Sequence, residues 1–172
     1  SSGVRLALRP LQLPQAVTTS GAYAWSAAIT FALADNSTRS ADASGTAYVV
    51  ARDASPYGAG WGIDGIDRLV VGPTGVLWVT GAGDARFFAG TGGTYTSPLE
   101  DFGTLVQNPD GSFTYTAKDQ TRSEFNSSGQ LTAVVDTHGL TLLSYTYAAF
   151  GGVSQVTALD GGITTLSYDA NG

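Results

Sequence analysis

The sequence predicts an all-β protein assembled from antiparallel hairpins, and three observations carry that prediction. Of the fourteen acidic residues twelve are Asp and only Glu100 and Glu124 are Glu, while Lys118 is the sole lysine, so strong helix formers are scarce and turn formers abundant. Glycine contributes 23 of the 172 residues, well above the usual ~7%. The apolar residues fall in short alternating runs, rich in Val, Thr, Tyr and Phe, separated by Gly, Asp and Asn clusters.

Taken in order, residues 4–13, "VRLALRPLQL", alternate with Val4, Leu6 and Leu8 on one face, a strand pattern interrupted by Pro10 and closed by Pro14. Residues 22–34, "AYAWSAAITFALA", contain enough alanine for a helix. The strict alternation of Tyr23, Trp25, Ala27, Ile29, Phe31 and Leu33 instead favours a strand. "DNSTRSADASG" (35–45) reads as a polar loop and "TAYVVARD" (46–53) as a strand. The glycine- and aromatic-rich stretch 55–70 reads as a corner feeding a strand at Asp67–Val71. "GPTG" (72–75) is a turn, and "VLWVT" and "ARFFA" bracket "GAGD" (81–84) as a hairpin. Residues 90–98 form a loop. "TLVQN" and "SFTYTAK" then flank "NPDG" (108–111), with Pro at the second position of a type I turn.

From residue 113 the pattern becomes periodic. Phe125, Tyr147 and Tyr168 stand 22 and 21 residues apart, and Gly129, Gly151 and Gly172 each follow four residues later. Leu131 and Val153 follow the first two glycines by two, and Val134 and Val156 end the two complete units. The turns "DTHG" (136–139) and "LDGG" (159–162) lie between units. A period near ~21 residues denotes a repeat array in which no unit can bury its apolar face alone, so successive hairpins lie side by side in one sheet. Each unit holds two short strands and two turns. The aromatic of one unit is expected to pack on the Leu or Val of its neighbour. A weaker echo upstream matches Thr80 with Thr116 and Arg86 with Arg122, an offset of 36.

This consensus, aromatic-Asp/Asn-x-x-Gly-x-Leu/Val-x-x-Val, resembles the Rhs/YD repeats, named for the Tyr-Asp dipeptide that appears here at Tyr168-Asp169. The stretch from "SPYGAGWGIDGIDRLV" through "TAKDQTRSEF" is similar to the region leading into such repeats in large bacterial surface and toxin proteins. The resemblance covers about residues 55–172. Phe125-Asn126 and Tyr147-Ala148 depart from the Tyr-Asp pair. It implies an extended, curved sheet of hairpins, which in bacterial Rhs proteins, insecticidal toxin-complex shells and teneurins wraps into a hollow shell. It also implies an extracellular or cell-surface location, and that a chain of this length is a fragment or a reduced relative. The expected organisation is a β-rich lead-in at 1–54, sandwich-like or contributing edge strands, lead-in hairpins at 55–124, and two repeats with the start of a third at 125–172.

Charge narrows the function. The formal net charge is −6 and the arginines are scattered, which speaks against nucleic acid and against anionic membrane surfaces. No apolar run is long enough for a helical membrane span. The absence of Cys excludes disulfides and thiolate metal sites. No cofactor and no enzymatic activity are expected. His138, the single histidine, sits in a turn, and no spacing asks for a triad with Asp136 and Ser144. Asp64, Asp67, Asp84 and Asp101 are the carboxylates that could gather, but each reads more simply as a turn cap. The expected role is a non-catalytic structural segment whose partners are neighbouring repeats of the same or identical chains. Two other readings are a subunit of a self-assembling extracellular fibre joined by strand exchange, and an adhesin or carbohydrate-binding module in which Tyr57, Trp61 and Trp78 stack on a ligand.

Overall fold

The computed structural model describes residues 16–33 and 35–169. These contain twelve strands and no helix: β1 Gly21–Ala32, β2 Thr38–Val49, β3 Arg68–Gly72, β4 Gly75–Val79, β5 Ala85–Ala89, β6 Thr104–Gln107, β7 Phe113–Thr116, β8 Arg122–Phe125, β9 Leu131–Val135, β10 Thr141–Tyr147, β11 Val153–Ala158 and β12 Ile163–Thr165. All pairings are antiparallel and join strands consecutive in the chain. They form a two-stranded sheet β1–β2, a three-stranded sheet β3–β4–β5 and a seven-stranded meander from β6 to β12.

One turn geometry builds the whole meander. At each of its hairpins the first turn residue accepts a hydrogen bond from the residue three later and donates to the one four later. The turns start at Asn108, Ala117, Asn126, Asp136, Ala148 and Ala158. The fourth residue has positive φ in every case: Gly111, Gln120, Gly129, Gly139, Gly151 and Gly161. This is a type I turn closed by a left-handed residue, a hairpin connection whose twist suits the flanking strands. Asn108, Asn126 and Asp136 occupy the first position, while Asp110, Asp119 and Asp160 hold backbone amides two residues on. Asn126 and Asp136 do the same from the first position, each accepting two amides.

The repeat has a structural signature between units as well. The Tyr147 hydroxyl donates to the Leu131 carbonyl at 2.7 Å, and the Tyr168 hydroxyl donates to the Val153 carbonyl at 2.6 Å. Each aromatic therefore reaches back to the residue two past the glycine of the preceding unit. Phe125 has no hydroxyl; it is buried against Trp78, ring centroids 4.9 Å apart and edge to face.

The three- and seven-stranded sheets share one core. Leu69, Val76, Trp78 and Phe88 from the former meet Leu105, Phe113, Tyr115, Phe125, Leu131, Tyr145 and Val153 from the latter, with Tyr95 between them. Trp78 also meets the Tyr115 ring edge to face at 4.9 Å. Such geometries contribute about 0.5–1.5 kcal/mol beyond the area buried. The opposite face of β4 presents Leu77 and Val79, which are buried too. There β1 lies against β3 and β4, and Tyr48 of β2 stacks on Phe87 at 5.0 Å. Further out the β1–β2 hairpin leaves Trp25, Ile29 and Phe31 exposed.

Two carboxylates brace the core, Asp67 within the three-stranded sheet and Asp101 between the two sheets. Asp67 accepts the Trp78 indole N–H at 2.8 Å and the Gly81 amide at 3.0 Å. Asp101 accepts Arg86 Nη1 at 2.9 Å, the Tyr115 hydroxyl at 2.7 Å and the Gly103 amide at 2.9 Å. The Arg86 guanidinium lies 4.1 Å from the centre of the Trp78 ring and 5.0 Å from that of Tyr115. Burial, followed by the hydrogen bond to Asp101, pushes the Tyr115 phenol up to about 12.

Several expectations need correction. Residues 35–45 are not a loop: β2 begins at Thr38, and the strand expected over 46–53 is only its end, closing at Val49. Ala41, Ala43 and Gly45 stand opposite Ile29, Ala27 and Trp25, and a Cβ at Gly45 would lie 3.0 Å from the Trp25 ring. Small residues give the large ones room, and cross-strand pairing outweighs the weak strand propensity of the segment. The upstream echo is displaced by one residue, because Val79 pairs with Ala85 as Thr116 pairs with Arg122, an offset of 37. The strand expected at 4–13 and the glycine at Gly172 lie outside the described residues.

Candidate functional site

A cleft of ≈ 660 Å³ opens where the lead-in loops meet the turns of the repeats. One wall is the segment 51–57 with Trp61 and β3; the other is the repeat turns, through Ser127, Ser128, Gln130, Tyr147 and Phe150. Its seam joins backbone groups to one another and to two tyrosine hydroxyls. The Leu69 amide donates to the Gly129 carbonyl at 2.7 Å, beside a bridge between Arg68 and Gln130. The Val153 amide donates to the Tyr57 hydroxyl at 3.3 Å, and the Tyr145 hydroxyl to the Gly65 carbonyl at 3.3 Å. Repeat positions Gly129 and Val153 thus hold the lead-in as well as their own hairpins.

Two arginines line the cleft. Arg68 Nη2 donates to Ser20 Oγ at 3.0 Å and to the Ala51 carbonyl at 3.3 Å. Arg52 Nη2 donates to the carbonyls of Thr80 and Gly81, both at 2.9 Å. Among the described residues neither forms an ion pair with a carboxylate. Burial, and then the neighbouring Arg52 charge, lower the pKa of the Arg68 guanidinium. Burial likewise raises the Tyr57 phenol. Asp67, which lines the same cleft, is occupied by the Trp78 indole and the Gly81 amide; the two guanidiniums outnumber it, so the cleft suits a negative group.

Of the three aromatics expected to stack on a ligand, Tyr57 and Trp61 line this cleft, and Trp61 is 70% exposed. Trp78 does not: it is 2% exposed, enclosed by Phe88, Tyr115 and Phe125 with its N–H bound to Asp67. Strand alternation turns its side chain into the core, so its ring offers no face to a ligand. Sequence reasoning missed Arg52, Arg68 and Phe150. Phe150 is 55% exposed and sits at the third position of the Ala148 turn, where an apolar ring was a legible anomaly. The arginines gave no signal, because isolated cations matter only once the fold brings them together.

The remaining candidates are dispersed. His138 lies in an exposed turn, Nδ1 3.1 Å from Thr137 Oγ1 and 3.7 Å from an Asp136 carboxylate oxygen. Backbone bonds from Leu140 and His138 hold the Asp136 carboxyl below the usual range. Ser144 is on β10 and makes no hydrogen bond with either among the described residues. Asp64, Asp67, Asp84 and Asp101 do not converge; no metal-holding group of three acidic or histidine side chains occurs among the described residues. No family model, curated protein or solved structure matches this chain.

Proposed function

We propose that the chain is a non-catalytic wall segment of a large bacterial extracellular or cell-surface protein of the Rhs/YD-repeat type, contributing hairpins to a β-sheet shell or scaffold. The observation that carries this reading is the recurrent bond from Tyr147 to the Leu131 carbonyl and from Tyr168 to the Val153 carbonyl, at the repeat period. Such a bond, with one turn geometry used throughout the meander, makes each unit the template for the next. A wall needs that property, and needs no reacting group.

Inserting a second copy of residues 126–147 directly after Tyr147 tests the reading. The longer chain is expected to unfold in one transition, with greater stability and a larger denaturant dependence in proportion to the added surface. An inserted copy that is digested by protease while the rest of the chain resists would overturn it.

A second reading, a fibre subunit joined by strand exchange, is favoured by the β1–β2 hairpin. It is a two-stranded sheet with both edges unpaired in the described structure, and open edges recruit strands. Ile29→Ser with Phe31→Ser should then abolish concentration-dependent assembly.

A further inference from the structure

The loop between β5 and β6 projects an apolar tip. Leu99 is 97% exposed and Phe102 74%. Between them Glu100 has a φ of 70°, a left-handed conformation that a non-glycine residue adopts only at a cost. The loop is not loose at its root: the Asp101 amide donates to the Pro98 carbonyl at 3.1 Å, Ser97 Oγ donates to the Gly103 carbonyl at 2.6 Å, and the Asp101 carboxylate is held by Arg86 and Tyr115. The root thus holds two large apolar side chains side by side at the surface with Glu100 between them, Phe102 met by Lys118 Nζ at 5.0 Å from its ring centre, an arrangement suited to a partner surface. Glu100 makes no hydrogen bond or ion pair among the described residues.

The cleft offers the complement. It carries two guanidiniums that form no ion pair among the described residues, against one carboxylate, Asp67, which is bound to Trp78 and Gly81, and it is rimmed by the exposed rings of Trp61 and Phe150. We propose that the Leu99-Glu100-Asp101-Phe102 loop of one copy of this chain inserts into the cleft of a second copy, Glu100 meeting Arg68 and Arg52 and the two apolar side chains meeting Trp61 and Phe150. Because knob and cleft are different surfaces, the contact is head to tail, and repetition of it yields open chains of molecules rather than a closed dimer. A guanidinium and a carboxylate brought together as water leaves attract more strongly than on an open surface, and like charges there repel. The association uses side chains only and does not rest on the wall reading or on the strand exchange of the second reading.

Sedimentation velocity of the full chain from roughly 10 to 500 µM is the test, a range that reveals contacts of modest affinity. Wild-type chain should associate as concentration rises, and about 0.5 M NaCl should weaken that association. Glu100→Arg and Arg68→Glu should each weaken it by about tenfold or more, while an equimolar mixture of the two variants restores it. In the mixture the reversed knob meets the reversed cleft position, and the unchanged knob meets an unchanged cleft. Leu99→Ser with Phe102→Ser should also abolish association. These side chains project into water, so that variant keeps the fold even where Arg68→Glu does not. A wild-type chain that stays monomeric throughout overturns the proposal, as does a mixture that fails to associate when both variants are folded. Association untouched by the loop variants but lost in Ile29→Ser/Phe31→Ser assigns the contact to the hairpin edge and overturns the proposal as well.

Discussion

Replacing Gly129 by Ala probes the joint on which the molecule depends. Gly129 has a φ of 78°, and a Cβ built there would lie 2.2 Å from the Leu69 carbonyl oxygen and 3.0 Å from its carbon. Those are backbone atoms, so no side-chain rotation relieves the clash. Gly139 has the same turn position and a φ of 87°, yet its Cβ would meet nothing within 4 Å. Gly139→Ala therefore isolates the conformational cost, about 1 kcal/mol after the loss of freedom in the unfolded chain is credited. Gly129→Ala adds the separation of β3 from the turn and with it the bond from the Leu69 amide to the Gly129 carbonyl. A buried donor left without a partner costs about 1–3 kcal/mol, and the adjoining core loosens too, so the total should be about 3 kcal/mol or more. Urea unfolding followed by tryptophan fluorescence measures both variants, since Trp78 lies at that interface. Equal losses for Gly129→Ala and Gly139→Ala would refute the docking of lead-in on repeat through this glycine.

Three further outcomes are expected. Tyr147→Phe removes the bond to the Leu131 carbonyl while keeping the ring, and should cost about 1 kcal/mol; a loss indistinguishable from zero in denaturant titration would show that the inter-unit bond contributes nothing. Gln120 holds a φ of 71° where the other meander turns have glycine. Gln120→Gly should raise stability by about 0.5 kcal/mol, relief of strain exceeding the added chain entropy, and a lower urea midpoint would contradict that. The phenols of Tyr57, Tyr95, Tyr115, Tyr145, Tyr147 and Tyr168 are all raised, with burial the leading cause. The folded chain thus keeps protons that the unfolded chain releases near pH ~10. Stability should be complete below that pH and fall as pH rises towards about 12, where Tyr115 ionises; a urea midpoint unchanged between pH ~8 and ~11 would sink the argument.

The period of the repeat was legible because each requirement is local. A left-handed fourth turn residue selects glycine, an amide-capping first or third residue selects Asn or Asp, and a strand of five or six residues sets the spacing. The turn at Ala117–Gln120 shows the edge of that legibility: it has the same hydrogen bonds as its neighbours but no glycine to announce it. The upstream echo was misplaced by one residue for a related reason. Matching letters aligned Arg86 with Arg122, whereas the ladder aligns Ala85 with Arg122.

Local patterning, then, determined by itself that the chain forms antiparallel hairpins, because turn conformation and strand alternation depend on residues within a few positions of one another. Tertiary structure alone decided that Trp78 is enclosed, that residues 38–49 pair as a strand, and that Arg52, Arg68, Trp61 and Phe150 share one cleft. Those outcomes depend on contacts between segments far apart in the chain, where the partner's shape, and not the residue's own preference, sets the free energy.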